Sequence, residues 1–183
     1  MPIEIPSIEA VAHHEAGHAV AAYRLHRRFR YVTIEPDGRD LGCCYRPYEP
    51  LESACRACLP DILTPSQRSA LDREIMVEMA GFVAEFYYRE GAEGYNTGDC
   101  KDYRTSRQVA RSMICHEARR AGTLDELDID EEVTWHVHVL AEKTIPLIVH
   151  ESWPLVEALA SALLEEKTIR YMRARAIMKA ADR

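Results

Sequence analysis

One stretch of the sequence has residue types and spacing that answer to a single chemistry: His14-Glu15-Ala16-Gly17-His18. On an α-helix, side chains four residues apart lie about 40° round the axis and about 6 Å along it. His14 and His18 can therefore offer imidazole nitrogens to one metal ion, and zinc suits such a pair. Glu15 projects about 100° to the side, where its carboxylate can hold a water molecule and take its proton. Zinc lowers the pKa of a bound water towards neutrality, so a carboxylate suffices as the base. Gly17 and Ala16 are small and let other backbone come close.

Read blandly, the same stretch is an amphipathic helix carrying two polar histidines. Its flanks weigh against that. Val11, Ala12, Ala16, Ala19, Val20 and Tyr23 form a broad apolar surface, so the helix is buried over much of its girth. Histidines at ligand spacing in a buried helix need partners, and a metal supplies them. Such a metal takes at least a third protein ligand, which the rest of the chain must bring in.

The elements that would do so follow in order. Tyr31–Ile34 and Leu41–Tyr45 are β-prone runs separated by the turn-forming Glu35-Pro36-Asp37-Gly38-Arg39-Asp40, and they predict a β-hairpin beside the motif helix. Its plain role is cover. Its functional role would be an open edge, Leu41-Gly42-Cys43, that pairs with extended peptide next to the metal. Residues 46–63 read as irregular. Thr64-Pro65-Ser66-Gln67 is a helix start, with Thr64 as cap, Pro65 in the first turn and Gln67 closing a capping box. That helix runs to about Arg89 with Ile75, Met76, Met79, Phe82, Val83 and Phe86 as its core stripe. Glu74, Glu78 and Glu85 lie along it and are expected mostly in solvent.

A further helix spans about Asp99 to Arg120, its inner stripe being Ser106, Val109, Met113 and Ile114. Asp102 falls on that stripe one turn earlier. It either favours the helix N-terminus electrostatically or points inward as the third ligand. Asp99 fits the first role better. Glu85 on the preceding helix is an alternative third ligand. Asp128 and Glu131 resemble a second capping box, opening a helix to about His150, and Pro154 to Ala180 carries one more amphipathic pattern. His136 and His138 are two apart, diverge on a helix, and make poor ligands. The expected fold is mainly α, with a small β-hairpin or sheet beside the metal helix.

The 183 residues suit a single domain over 1–183, and 47% apolar with 29% charged side chains describes a chain able to fold. A formal net charge of −7 argues against nucleic acid as partner. No apolar run approaches the roughly 18 residues that span a bilayer, and the N-terminus has no basic start or apolar core, so a cytoplasmic location is expected. Six cysteines then read as thiols. Cys55-Arg-Ala-Cys58 has ligand or redox spacing but lacks the second pair that a zinc ribbon needs.

Beyond spacing, the ordered motifs resemble the peptidase domain of the FtsH family of ATP-dependent zinc metalloproteases. His14–Ala19 stands at its zinc helix, Val32-Thr33-Ile34-Glu35-Pro36 through Leu41-Gly42 at its hairpin, and Met79–Glu85 at the helix ahead of its third ligand. Asn96-Thr97-Gly98-Asp99-Cys100-Lys101-Asp102 resembles the segment that ends in the ligating aspartate, and residues 158–169 resemble its C-terminal helix. The resemblance implies a helical peptidase fold with zinc held by His14, His18 and Asp102. Departures are clear. Phe82 and Phe86 replace an Arg and a Glu, residues 47–60 have no counterpart, and no Walker A motif, ATPase module or membrane anchor occurs in this sequence.

The expected activity is zinc-dependent endopeptidase cleavage of peptides or unfolded proteins, independent of ATP for this chain alone. Glu15 is the base and His14, His18 and Asp102 are the ligands. Oligomerisation or a separate ATPase partner is compatible with the sequence. A non-catalytic, zinc-stabilised interaction domain derived from such a peptidase is the rival, though a structural site would not need Glu15. Ala21 and Arg24 stand where a metzincin has Gly and a third His, which excludes that class.

Overall fold

The computed structural model describes residues 6–38, 40–46, 63–89 and 101–182. The elements are α1 (Ile8–Arg24), β1 (Tyr31–Thr33), β2 (Cys43–Tyr45), α2 (Pro65–Tyr88), α3 (Lys101–Ala121) and α4 (Ile129–Ile145). A π-helical turn (Pro146–His150), α5 (Trp153–Glu166), β3 (Thr168–Arg170) and α6 (Tyr171–Ala181) complete them. The fold is mainly α with one small antiparallel sheet, as expected.

Helix α1 is the centre. Ser7 caps it, its side chain accepting from the Ala10 amide. Small residues such as Ala12, Ala16, Ala19 and Ala22 let neighbours close in, and all four are buried. The nearest neighbour is α2: a Cβ at Gly17 would sit 2.5 Å from the Ala80 carbonyl oxygen and 2.6 Å from the Ala84 Cβ. That close approach requires glycine at 17. At the other end, Arg24 fixes α1 to the C-terminal elements through Ser152 Oγ (3.0 Å) and both Asp182 carboxylate oxygens.

Two apolar clusters meet at α2. One joins α1, the sheet, α5 and α6 around Val20, Val32, Leu159, Leu163, Ile169 and Met178. The other lies between α2, α3 and α4 around Leu71, Ile75, Val109, Met113 and Val137. Each fully buried Leu or Ile stabilises the fold by about 1.5–3 kcal/mol. Because α2 is covered on two sides, its core stripe is wider than the one expected, taking in Val77, Ala80 and Ala84. Phe86 is not part of it and stands 43% exposed.

The expected capping box is present, with Thr64 Oγ1 accepting from the Gln67 amide and Gln67 Oε1 from the Thr64 amide. Asp128 caps α4, accepting from the Asp130 and Glu131 amides. Three expectations are corrected. The helix expected to reach His150 changes to a π-helical turn at Pro146, which has no N–H to continue the regular ladder. The amphipathic pattern from 154 to 180 is not continuous: it is broken at Lys167, whose φ is +61°, and Thr168–Arg170 forms β3. The hairpin therefore belongs to a three-stranded sheet of order β2-β1-β3, with Tyr31 opposite both Tyr45 and Arg170. Strand β2 begins at Cys43, so Leu41 and Gly42 lead into it; the Ile34 amide, past the paired end of β1, goes to Lys167 O on the β3 side.

The third correction concerns charge. Glu74 and Glu85 are 3% and 4% exposed, and Glu78 is also largely covered. A carboxylate buried alone would cost several kcal/mol. Glu74 is flanked by Arg27 and Arg46, and Glu78 meets Arg46. Cys55, Cys58, Asp99 and Cys100 lie outside the described residues. Cys43, Cys44 and Cys115 are free thiols. Among the described residues no single helix is long and apolar enough to cross a membrane.

Candidate metal centre

The stripe Val77, Gly81, Glu85 on α2 repeats every four residues and runs antiparallel to His14 and His18 on α1. Each of its members meets the histidine pair. The Val77 carbonyl accepts from His18 Nδ1 at 2.7 Å, and the Glu85 carboxylate accepts from His14 Nδ1 at 3.0 Å. Both acceptors lack protons to give, so both Nδ1 atoms are donors and both Nε2 lone pairs turn to the same point. The two Nε2 atoms are 3.1 Å apart.

Asp102 arrives at that point from the first turn of α3. Its Oδ2 is 3.0 Å from His14 Nε2 and 3.4 Å from His18 Nε2. Ligands about 2.0–2.1 Å from a tetrahedral zinc lie about 3.3 Å from one another. The three side chains meet that spacing, and they form a group able to hold a metal ion. Glu85 is on the far side of the His14 ring, so the alternative of Glu85 as third ligand is displaced. Its carboxylate fixes the His14 ring from the Nδ1 side instead.

Electrostatics agree with the geometry. Burial alone would lower the His14 pKa, yet hydrogen bonds to Asp102 and Glu85 lift it well above the ordinary value. His18 is likewise raised, burial being outweighed chiefly by the Asp102 charge. Burial would raise Asp102, but the two histidines hold it well below the usual carboxylate range. A field that favours a proton on these nitrogens also favours a metal cation in its place.

Beneath the imidazoles lies Gly81. A Cβ there would come within 2.3 Å of His18 Nε2 and 2.8 Å of His14 Nε2. The rings cannot step aside, since each is tethered at Nδ1. Alanine at a helix interior normally gains about 1 kcal/mol over glycine, whereas overpacking costs about 1–3 kcal/mol. Gly81→Ala is therefore expected to lower both melting temperature and zinc affinity, the latter roughly 10–100-fold, as for other losses of ligand orientation. Chelator competition on the purified variant checks this. A glycine inside an apolar helix was the available signal for Gly81; nothing in the spacing marked Val77.

The centre opens into a cleft of about 510 Å³. Glu15, 6% exposed, lines it and carries a pKa raised by burial, with His18 and His14 opposing. Leu41, Gly42 and Cys43 form the facing wall. Gly42 is close-packed: a Cβ there would meet Glu15 Cγ at 2.7 Å and Thr33 O at 2.9 Å. Burial pushes the Cys43 and Cys44 thiols up, so both stay protonated. His136 bonds to Asp72 at 2.9 Å and His138 is on the surface, so neither joins the centre.

No protein-family model matches the chain. A curated relative does: 110 residues, 58% of this chain, are 33% identical to the ATP-dependent zinc metalloprotease FtsH of Haemophilus influenzae. The match covers 15% of that protein's length. It relates this chain to the metalloproteases over the matched segment, and suggests a peptidase-derived domain.

Proposed function

We propose that this chain is a zinc-dependent endopeptidase that cuts flexible or unfolded polypeptide without ATP. The observation that carries this reading is the convergence of His14 Nε2, His18 Nε2 and Asp102 Oδ2 at 3.0–3.4 Å, beside the buried Glu15 in an open cleft. His14, His18 and Asp102 would hold the zinc, which when bound supplies Lewis acidity for the scissile carbonyl and for water. Glu15 accepts the proton of the attacking water and returns it to the leaving amine nitrogen. Burial raises its pKa, and a positioned carboxylate of this kind can both take and give the proton. Glu85 and the Val77 carbonyl keep the imidazoles aimed while this happens.

The wall from Leu41 to Cys43 leads into β2, an edge strand in the sheet of the described residues. An extended peptide can pair along that edge and lie beside the centre. Such pairing needs several residues of free backbone, which folded proteins release only at opening free energies approaching global stability. The sequence given contains no nucleotide loop to supply that work.

A stable folded substrate and its destabilised mutant, incubated with the zinc-loaded protein with and without ATP, provide the test. The destabilised form is expected to be cut and the stable form to resist, at rates ATP does not change. Rapid cutting of the stable form would overturn the restriction to flexible polypeptide, and acceleration by ATP would overturn the reading of ATP independence. No cutting of either form by zinc-loaded protein would overturn the peptidase reading and favour a non-catalytic, metal-stabilised domain.

A further inference from the structure

Charge is unevenly spread over this acidic chain. Residues 24–34 and 168–181 hold eight of its 23 basic side chains and none of its 30 acidic ones. The fold brings the two stretches together, since Tyr171 donates its amide to the Arg30 carbonyl and Arg170 pairs with Tyr31 across the sheet. Between them is a groove of about 680 Å³, with Tyr23, His26 and Arg28 on one wall and Tyr171, Met172 and Arg175 on the other.

The cations divide into two sets. Arg24, Arg27 and Arg173 are neutralised by Asp182, Glu74 and Glu166. Arg28, Arg30, Arg170, Arg175 and Lys179 are exposed and have no acidic partner among the described residues. The groove floor is firm, because the Tyr171 ring packs edge-on against the buried Phe29 at 5.2 Å. Guanidinium groups beside tyrosine rings and a methionine 69% exposed are the composition of a polypeptide-binding surface.

We propose that this groove is a secondary binding site that captures acidic, unstructured polypeptide segments. Its positive charge complements carboxylates, and its tyrosines and Met172 give apolar and hydrogen-bonding contact that a bare anion would not use. A bilayer fits less well, because the site is concave and among the groove residues only Met172 is a strongly exposed apolar side chain. Tyr23 is five residues past His18, about 7.5 Å of helix rise. A disordered chain held in the groove would therefore raise the local concentration of its remaining length around the cleft. This last consequence rests on the proposed peptidase activity; the binding itself does not.

Binding is tested first in the Glu15→Gln form, so that cleavage plays no part. The probe is a short fluorescein-labelled peptide rich in Asp, Glu and Tyr, followed by anisotropy. Arg28→Glu with Arg175→Glu is expected to weaken binding roughly tenfold or more, at unchanged zinc content and melting temperature, and added salt should weaken it too. A neutral peptide should bind poorly. Failure of the Glu15→Gln form to bind the acidic peptide, or equal binding by the charge-reversed form, would overturn the proposal. So would capture by phosphatidylserine vesicles in preference to the peptide, which would assign the surface to a membrane. In the otherwise unaltered protein, an acidic tail on a cleavable substrate should speed cutting relative to a neutral tail, and the double reversal should abolish that ratio. Persistence of the ratio would also count against the site.

Discussion

Glu15→Gln is expected to keep its zinc and to lose peptide hydrolysis by roughly 10²–10⁴-fold, the usual contribution of a positioned acid–base group. The amide has the shape of the carboxylate, so it can occupy the same space against Gly42, where Glu15 Cγ and Oε1 are tightly packed. It cannot accept the water proton. His14, His18 and Asp102 are untouched, which separates the loss of turnover from any loss of metal. Hydrolysis of a quenched fluorescent peptide, with zinc content measured on the same preparation, decides the matter. A parental rate in the variant would mean that Glu15 is not the base.

The second large effect is expected at Asp102. Removing one of three protein ligands leaves two imidazoles and water, and their Nε2 lone pairs, 3.1 Å apart, lose the anion that balances a cation between them. Asp102→Ala should therefore weaken zinc binding by more than the roughly 10–100-fold expected for removing an orienting partner. Glu85→Gln is the comparison, because Glu85 touches His14 only from behind. The expected order of affinity is parental, then Glu85→Gln, then Asp102→Ala, read by competition with a chromogenic chelator. Parental affinity in Asp102→Ala would remove that residue from the centre.

The local parts of this molecule were readable in its sequence because local chemistry determines them. The His14–His18 spacing, the Thr64–Gln67 box and the Asp128 cap all act within one or two helical turns. Asp102 was a candidate on its own stripe, but only the fold brings it to His14, 88 residues away. Glu74, Glu78 and Glu85 were misjudged for the same reason. Their partners Arg27, Arg46 and His14 come from distant segments, and a carboxylate at helical spacing reads as solvated until the cation facing it is known. Strand β3 was hidden inside an amphipathic pattern whose helical period is interrupted only at Lys167-Thr168-Ile169. There the β-branched pair and the buried Ile169 beside Val32 favour the sheet. Phe86 looked like core because its period matched, yet near the end of α2 it stands exposed with its ring stacked on Phe82.

X-ray absorption at the zinc edge, on the purified chain loaded with one equivalent of zinc, examines the centre without relying on turnover. Ligation by His14, His18 and Asp102 requires a coordination shell of nitrogen and oxygen only, at about 2.0–2.2 Å, with the outer-ring scattering of two imidazoles. A sulfur contribution at about 2.3 Å would place the metal on cysteine, with Cys55 and Cys58 the obvious pair, and would contradict the centre described above.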